Sequence, residues 1–329
     1  MTILVSGGAG YIGSHTVLYL KQKGLDVVVF DNIQTGHSDA VKDVPFIKGD
    51  LRDEAALKAV FEAYPIEAVI HFAASSLVGE SVQEPLKYYE NNVGGTLSLL
   101  KQMVAHDVKH IVFSSTAATY GEPKSIPIKE SDPTVPTNPY GETKLAIEKM
   151  FKWSEAAYGL KSVSLRYFNA AGADPEGTIG EDHQPESHLI PLILQVALGQ
   201  REHISVFGND YPTEDGTCIR DYIHVMDLAD AHFRALEKLK KTGESGTYNL
   251  GNGKGFSVKE VIEACRRVTN KEIPAVDAPR RAGDPAVLIA SSEKAEKELG
   301  WKPQYPELEK IVEHAWAWHS HHPNGYNDK

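Results

Sequence analysis

Cysteine is scarce: among 329 residues there are two, Cys218 and Cys265, far apart in the chain. That excludes a disulfide framework and every paired-thiol redox or zinc motif, and fits buried thiols in a reducing compartment. Long apolar runs are lacking, and no stretch approaches the roughly 20 residues of a membrane span. A basic leader is lacking as well, because Met1 runs directly into Ile3-Leu4-Val5, so a cytoplasmic protein is expected. Positive charge is in deficit, with 34 Lys and Arg against 45 Asp and Glu and a formal net charge of -11. A nucleic-acid partner is therefore not expected, since it calls for a basic stripe. An anionic ligand would have to be met locally, by helix N-termini and a few arginines.

What is present is alternation. Short apolar runs at 3–5, 27–30, 45–47, 68–70, 111–113 and 163–165 predict strands, and helical periodicity intervenes at 11–23, 54–63, 86–105 and 140–158. Strands alternating with helices predict an α/β fold with a doubly wound parallel sheet. Beyond about residue 170 glycines and prolines loosen the pattern. Helices are expected near 189–199, 257–269 and 306–320, and a strand at Ile204-Ser205-Val206-Phe207. The expected division is a Rossmann-type dinucleotide-binding domain at 1–169 and a smaller mixed α/β domain at 170–329, with some chain exchange between them.

Gly7, Gly10 and Gly13 are spaced by three between the first strand and the first helix. Glycine there lets the backbone turn tightly and approach a pyrophosphate resting on the helix N-terminus, drawing in Tyr11 and Ile12 as well. Asp31, ending the second strand before Asn32, is placed to take the ribose hydroxyls of NAD and to repel the extra phosphate of NADP; no arginine accompanies it in 32–37. Asp50-Leu51 ends the third strand, where Asp50 either faces an adenine or caps the next helix. Phe72-Ala73-Ala74 ends the fourth, and its small residues admit a cofactor backbone.

Tyr140 and Lys144 are four apart on one helical face. A phenol with an ordinary pKa of about 10 is a poor base, so the lysine cation and a positive nicotinamide ring are expected to lower it into the working range. Thr116 follows the strand ending at Ser114-Ser115 and offers a hydroxyl to orient the proton.

Together these residues resemble the extended short-chain dehydrogenase/reductases. Longer strings narrow the resemblance to the UDP-hexose 4-epimerase branch: 7–15 (GGAGYIGSH), 78–81 (VGES), 166–169 (RYFN), 210–217 (DYPTEDGT) and 220–225 (RDYIHV). It extends from the first strand to the tail at 323–326. The resemblance implies that Tyr140 takes the proton of the sugar 4-hydroxyl while hydride passes to tightly held NAD, and that the 4-keto sugar turns over and is reduced on its other face. It implies that Lys144 holds the nicotinamide ribose and that Asn91 and Phe168 line the cofactor. UDP-sugar contacts are implied at Asn169, His188, Leu189, Ser205, Val206, Phe207, Arg220, Arg281, Asp284 and Leu288, together with Thr116 and Tyr140. Arginine suits a diphosphate because its planar fork matches phosphate oxygens; the alternative for Arg220 is an ion pair with Asp221 or another neighbour. A homodimer through the helices near 86–105 and 140–158 is implied too.

A sugar-nucleotide 4,6-dehydratase would share the Tyr/Lys pair, but it needs an acid and a base where this chain has Ala117 and Ala118. Retention of Thr116, Tyr140 and Lys144 argues against a catalytically dead NAD sensor. His183, Glu186 and His188 lie in a proline-containing loop without a recognised ligand spacing, so no metal is expected there. The terminal His319, His321 and His322 read as a solvated tail.

Overall fold

Three successive apolar residues cannot lie in a strand with one wet face, and β1 (Thr2–Ser6) buries Ile3, Leu4 and Val5 completely. Its side chains alternate: Ile3 and Val5 join the core on one side of the sheet, and Leu4 joins the core on the other. The same holds along β2 (Asp26–Asp31), with β3 (Phe46–Lys48), β4 (Ile66–His71), β5 (His110–Ser114) and β6 (Lys161–Arg166) completing the predicted series. The computed structural model describes residues 2–281 and 284–327. All six strands pair in parallel, in the order β6-β5-β4-β1-β2-β3, and Gly246–Asn249 adds a seventh beside β6. The winding reverses at β1, between β2 and β4, so a crevice opens at the carboxyl ends of these strands. The fold is the expected doubly wound α/β sheet.

Helices cover both faces. On one side lies α1 (Tyr11–Gln22), and on the other α2 (Glu54–Ala63), capped by Asp53, whose carboxylate accepts the Ala55 and Ala56 N–H groups at 3.0 Å. The long Pro139–Tyr158 helix starts with proline at its first turn, is capped by Asn138, and stops at Gly159 with φ of 70°. The single helix expected at 86–105 is divided into Pro85–Tyr88, a π-helical turn at Tyr89–Gly94 and Gly95–Ala105, with Val78–Gln83 a separate helix before it. Pro85 has no N–H to continue the preceding helix, so it starts a new one.

No helix is expected at 225–242 from the reading above, yet the chain forms one. Val225–Thr242 buries Leu228, Ala231, Ala235, Leu236 and Leu239 on one face and packs on α1. Gly246–Asn249 follows it back into the main sheet. A smaller layer forms from Leu189–Ala197, Val258–Thr269 and Leu308–His321 around their own apolar core, with Ile204–Phe207 paired in parallel to Ala275–Ala278. The tail is only in part the solvated segment expected: His321 is exposed, but its neighbours are not. Trp318 is buried, His322 stacks on it at 3.7 Å, and Tyr326 stacks on His37 and donates to the Gly180 carbonyl. Aromatic rings gain more from this packing than from water. Among the described residues no helix is long and apolar enough to cross a membrane.

Candidate active site

The loop after β1 is a cradle made of backbone. Gly7 has φ of 75°, and a Cβ there would lie 2.4 Å from the Ala73 nitrogen. A Cβ on Gly13 would lie 2.1 Å from the Gly7 oxygen, so the helix and loop approach too closely for any side chain. Gly10 differs: a Cβ there would meet only the Gly7 oxygen at 3.5 Å, an ordinary contact. Packing within the chain does not require glycine at that position, but a ligand pressed against the loop would. Gly10 caps α1 without a side-chain hydrogen bond, and no acidic residue occupies the first turn. Those N–H groups suit a phosphate, and the cradle fits a dinucleotide.

Asp31 ends β2 inside this loop. Its carboxylate accepts the Ala9 N–H at 3.0 Å and the Ile33 N–H at 2.8 Å, and burial pushes its pKa up despite them. Each oxygen keeps a lone pair for a hydroxyl donor. Asp50 does not cap α2, because Asp53 does. It accepts Asn32 Nδ2 at 3.1 Å and a two-pronged contact from Arg52 at 2.8 and 2.7 Å, which holds its pKa well below the carboxylate range. Arg52 is thus a cation near the Asp31-Asn32 turn that comes from outside the 32–37 stretch. The Phe72 and Ala73 N–H groups both donate to the Ser6 carbonyl, fixing the end of β4 against the loop, with Ala74 following. Leu51 is buried beneath Gly95.

The π-helical turn presents Asn91, whose amide donates to Ser75 Oγ at 3.1 Å. Its neighbour Asn92 is fully buried and ties Ser75 to Thr143 of the Pro139–Tyr158 helix. Nothing in the linear pattern singles out Asn92. Such turns concentrate at functional sites.

Tyr140 lies in the first turn of that helix and Lys144 one turn on. The Lys144 amine is 2% exposed, donates to the Ser114 carbonyl at 2.9 Å, and stands 5.8 Å from the Tyr140 ring centre. Burial lowers its pKa to about 7, while Glu148 works to raise it. The expected lowering of Tyr140 does not occur in the chain by itself. Burial raises its pKa, with the Thr116 hydroxyl pulling the other way. Thr116 Oγ1 accepts the Ala118 N–H at 3.1 Å, which leaves its proton for Tyr140. One further turn along the helix, Glu148 accepts Ser115 Oγ at 2.6 Å and pairs with the buried Arg166. This network ties the helix to β5 and β6. Its signal in the sequence is a carboxylate four residues after Lys144 on the same face.

The residues expected at the sugar-nucleotide end come from short elements. Asn169 donates to the Asp221 carbonyl at 3.0 Å and lines a small void with His188 and Leu189. In Ile204–Phe207, Ser205 and Phe207 face outward, but Val206 is buried in the core, so only its backbone can meet a ligand. The Arg281 guanidinium lies 4.1 Å over the Phe207 ring. Arg220 pairs with Asp284 at 2.6 Å, a partner other than the adjacent Asp221. Arg281 and Asp284 also border an open cleft of about 700 Å³, a volume suited to a small-molecule ligand. Leu288 sits beside Arg220 in register and packs in one cluster with Ala117, Tyr120 and Phe168. Ala282 and Gly283, between these residues, lie outside the described residues.

The family model for the NAD dependent epimerase/dehydratase family matches residues 3–251. A UDP-glucose 4-epimerase of Halalkalibacterium halodurans is 70% identical, covering 99% of this chain and 98% of that protein. A crystal structure of a UDP-glucose 4-epimerase superimposes with a TM-score of 0.98 at 61% identity, over 99% of this chain and all of the other. The Bifidobacterium longum UDP-glucose 4-epimerase, solved in complex with NAD+ and UDP, gives a TM-score of 0.94 at 43% identity, over 99% and 100% of the two chains. Similarity of this degree from end to end leaves one placement: the chain belongs to the NAD dependent epimerase/dehydratase family, in its UDP-glucose 4-epimerase branch.

Proposed function

We propose that this chain is an isomerase that interconverts UDP-galactose and UDP-glucose through a 4-keto sugar, with NAD held throughout. The observation that carries this reading is the grouping, at the carboxyl end of β5, of Tyr140, Thr116 and, one helical turn on from Tyr140, the buried Lys144 amine bonded to the Ser114 carbonyl. When bound, NAD supplies a reversible hydride acceptor, so the reaction has no net redox change. The Gly7–Gly13 loop with Tyr11 and Ile12 would hold its phosphates. Asp31, Asn32, Asp50 and Leu51 would hold its adenosine half, and Phe72, Ala73, Ala74, Asn91, Lys144 and Phe168 would surround the rest.

Tyr140 removes the proton of the sugar 4-hydroxyl and later returns it to the same oxygen, the 4-keto sugar having turned so that C4 is reduced on its opposite face. Burial by itself keeps this phenol protonated, so its activity as a base depends on Thr116 and Lys144 favouring the phenolate. Arg220 and Arg281 are the cations available to a diphosphate, and Asn169, His188, Leu189 and the Ser205–Phe207 strand would hold the uridine. Leu288 packs on the same small cluster as Phe168 and so would limit the space beside the sugar. UDP-GlcNAc and UDP-GalNAc are then a second, slower pair.

Two copies would associate through the helices at 78–105 and 139–158. Leu86 is 81% exposed and Trp153 73%, with Val82, Tyr89 and Leu97 also uncovered on these elements. Two free, buried thiols suit work in the cytoplasm. The purified protein should interconvert UDP-galactose and UDP-glucose without added NADH. Failure to do so while NAD is bound would overturn the assignment.

A further inference from the structure

The loop leading to the Leu189–Ala197 helix gathers four side chains that the reaction does not use as a group. Glu181, His183, Glu186 and His188 each turn one donor atom inward, and the four atoms lie within 4.8 Å of one another. His183 Nδ1 is 3.2 Å from Glu181 Oε1 and 3.6 Å from Glu186 Oε2, and His188 Nδ1 contacts the same Glu181 oxygen. A tetrahedral ion with nitrogen and oxygen ligands at about 2.0–2.2 Å requires donor separations of about 3.3–3.6 Å. Two of these separations already fall close to that spacing, and the third opens by a small rotation of the half-exposed His188 ring.

We propose that these four residues form a binding site for one divalent transition-metal ion of the zinc class. Two imidazoles select such an ion over calcium or magnesium, which take oxygen ligands. The two carboxylates, 3% and 6% exposed at their side chains, supply the charge that a dication neutralises in a partly dry setting. The ligands are held by their surroundings. Tyr11 packs edge-on against His183 at 6.0 Å, and Asp182, between Glu181 and His183, contacts His37 and accepts the Tyr326 N–H. The linear spacing conceals the site because the ligands come from an irregular loop and Glu181 stands outside the His183–His188 string. His188 is also the residue that opens the next helix beside Asn169, so the ion would tie the loop to the sugar-nucleotide edge. None of this depends on the reaction proposed above.

Full-length protein stripped by a chelator and desalted should be titrated with Co2+, followed by visible absorption, and with Zn2+, followed by calorimetry. The expected result is one ion per chain, with the intense visible bands of four-coordinate cobalt. His183→Gln and Glu186→Gln, each checked for folding by circular dichroism, should each weaken Co2+ by at least about tenfold. His321→Gln, at an exposed histidine ending the Leu308–His321 helix, should leave binding unchanged. Failure of the unaltered protein to bind Co2+ or Zn2+ overturns the proposal and reduces the cluster to ion pairs. So does full-strength binding by both loop variants, which would place the ion elsewhere.

Discussion

At the glycine cradle, Gly7 and Gly13 act through their backbone, and what they require of the chain is the absence of side chains, a requirement that at Gly10 only a ligand would impose. At the sugar-nucleotide edge the reverse holds: Asn169, Arg220, Asp284 and Leu288 come from separate short strands and loops and act through what their side chains reach. One end is a local motif and the other is an assembly. A motif tolerates almost no change in shape, whereas an assembly can be retuned one side chain at a time. Tyr140 belongs to both, since it stands where cofactor and sugar would meet.

The largest effect is therefore expected at Tyr140. Tyr140→Phe keeps the ring and removes the ionisable oxygen, so NAD should remain bound while turnover falls by about 10²–10⁴. Turnover near the unaltered rate would remove Tyr140 from its role as base. Gly13→Ala comes next: its Cβ would lie 2.1 Å from the Gly7 oxygen, and the loop must open, at about 1–3 kcal/mol. Lower thermal stability and loss of co-purifying NAD should appear together, and an unchanged melting temperature with NAD retained would show that the cradle is more pliable than its geometry implies.

Under the proposed function, selectivity between NAD and NADP at the cradle would rest on the Asp31 side chain. Asp31→Ala should weaken NAD by about tenfold and reduce the exclusion of NADP, because the carboxylate repels the added phosphate. Both affinities can be measured by fluorescence titration, and an unchanged ratio would mean that Arg52, bound to Asp50 beside Asn32, sets the preference instead. The smallest effect, and the clearest test of retuning at the other end, is at Leu288. Leu288→Tyr should abolish turnover of UDP-GlcNAc while sparing UDP-galactose, and Leu288→Cys should raise UDP-GlcNAc turnover a few-fold, since small volume changes are felt in a close-packed site. The same substrate ratio in all three proteins would exclude Leu288 as the gate.

The parts of this molecule legible in the sequence are those with short-range causes. The strands at 2–6, 26–31 and 66–71, the helix 54–63 and the glycine loop each follow from a pattern within a dozen residues. Proline at 85 is equally local and marks where the chain starts a new helix, but the π-helical turn at Tyr89–Gly94 that divides the 86–105 stretch has no such local signal. The Val225–Thr242 helix has a local cause as well, apolar residues at helical spacing. Less legible were Asn92, Glu148 and Arg166, because a buried polar residue reveals itself only through its partner.

By itself the sequence determined the doubly wound sheet, the place of the glycine cradle and the one-turn spacing of Tyr140 and Lys144, since each depends on backbone geometry and periodicity over a few residues. Tertiary structure alone decided that Asp284 is the partner of Arg220, that Leu288 and Phe168 pack on one cluster with Ala117 and Tyr120, and that Glu181 faces two histidines across an irregular loop. It also decided the protonation tendencies of Tyr140 and Lys144. A pKa is set by desolvation and by the charges that folding brings near, and neither can be read from spacing along the chain.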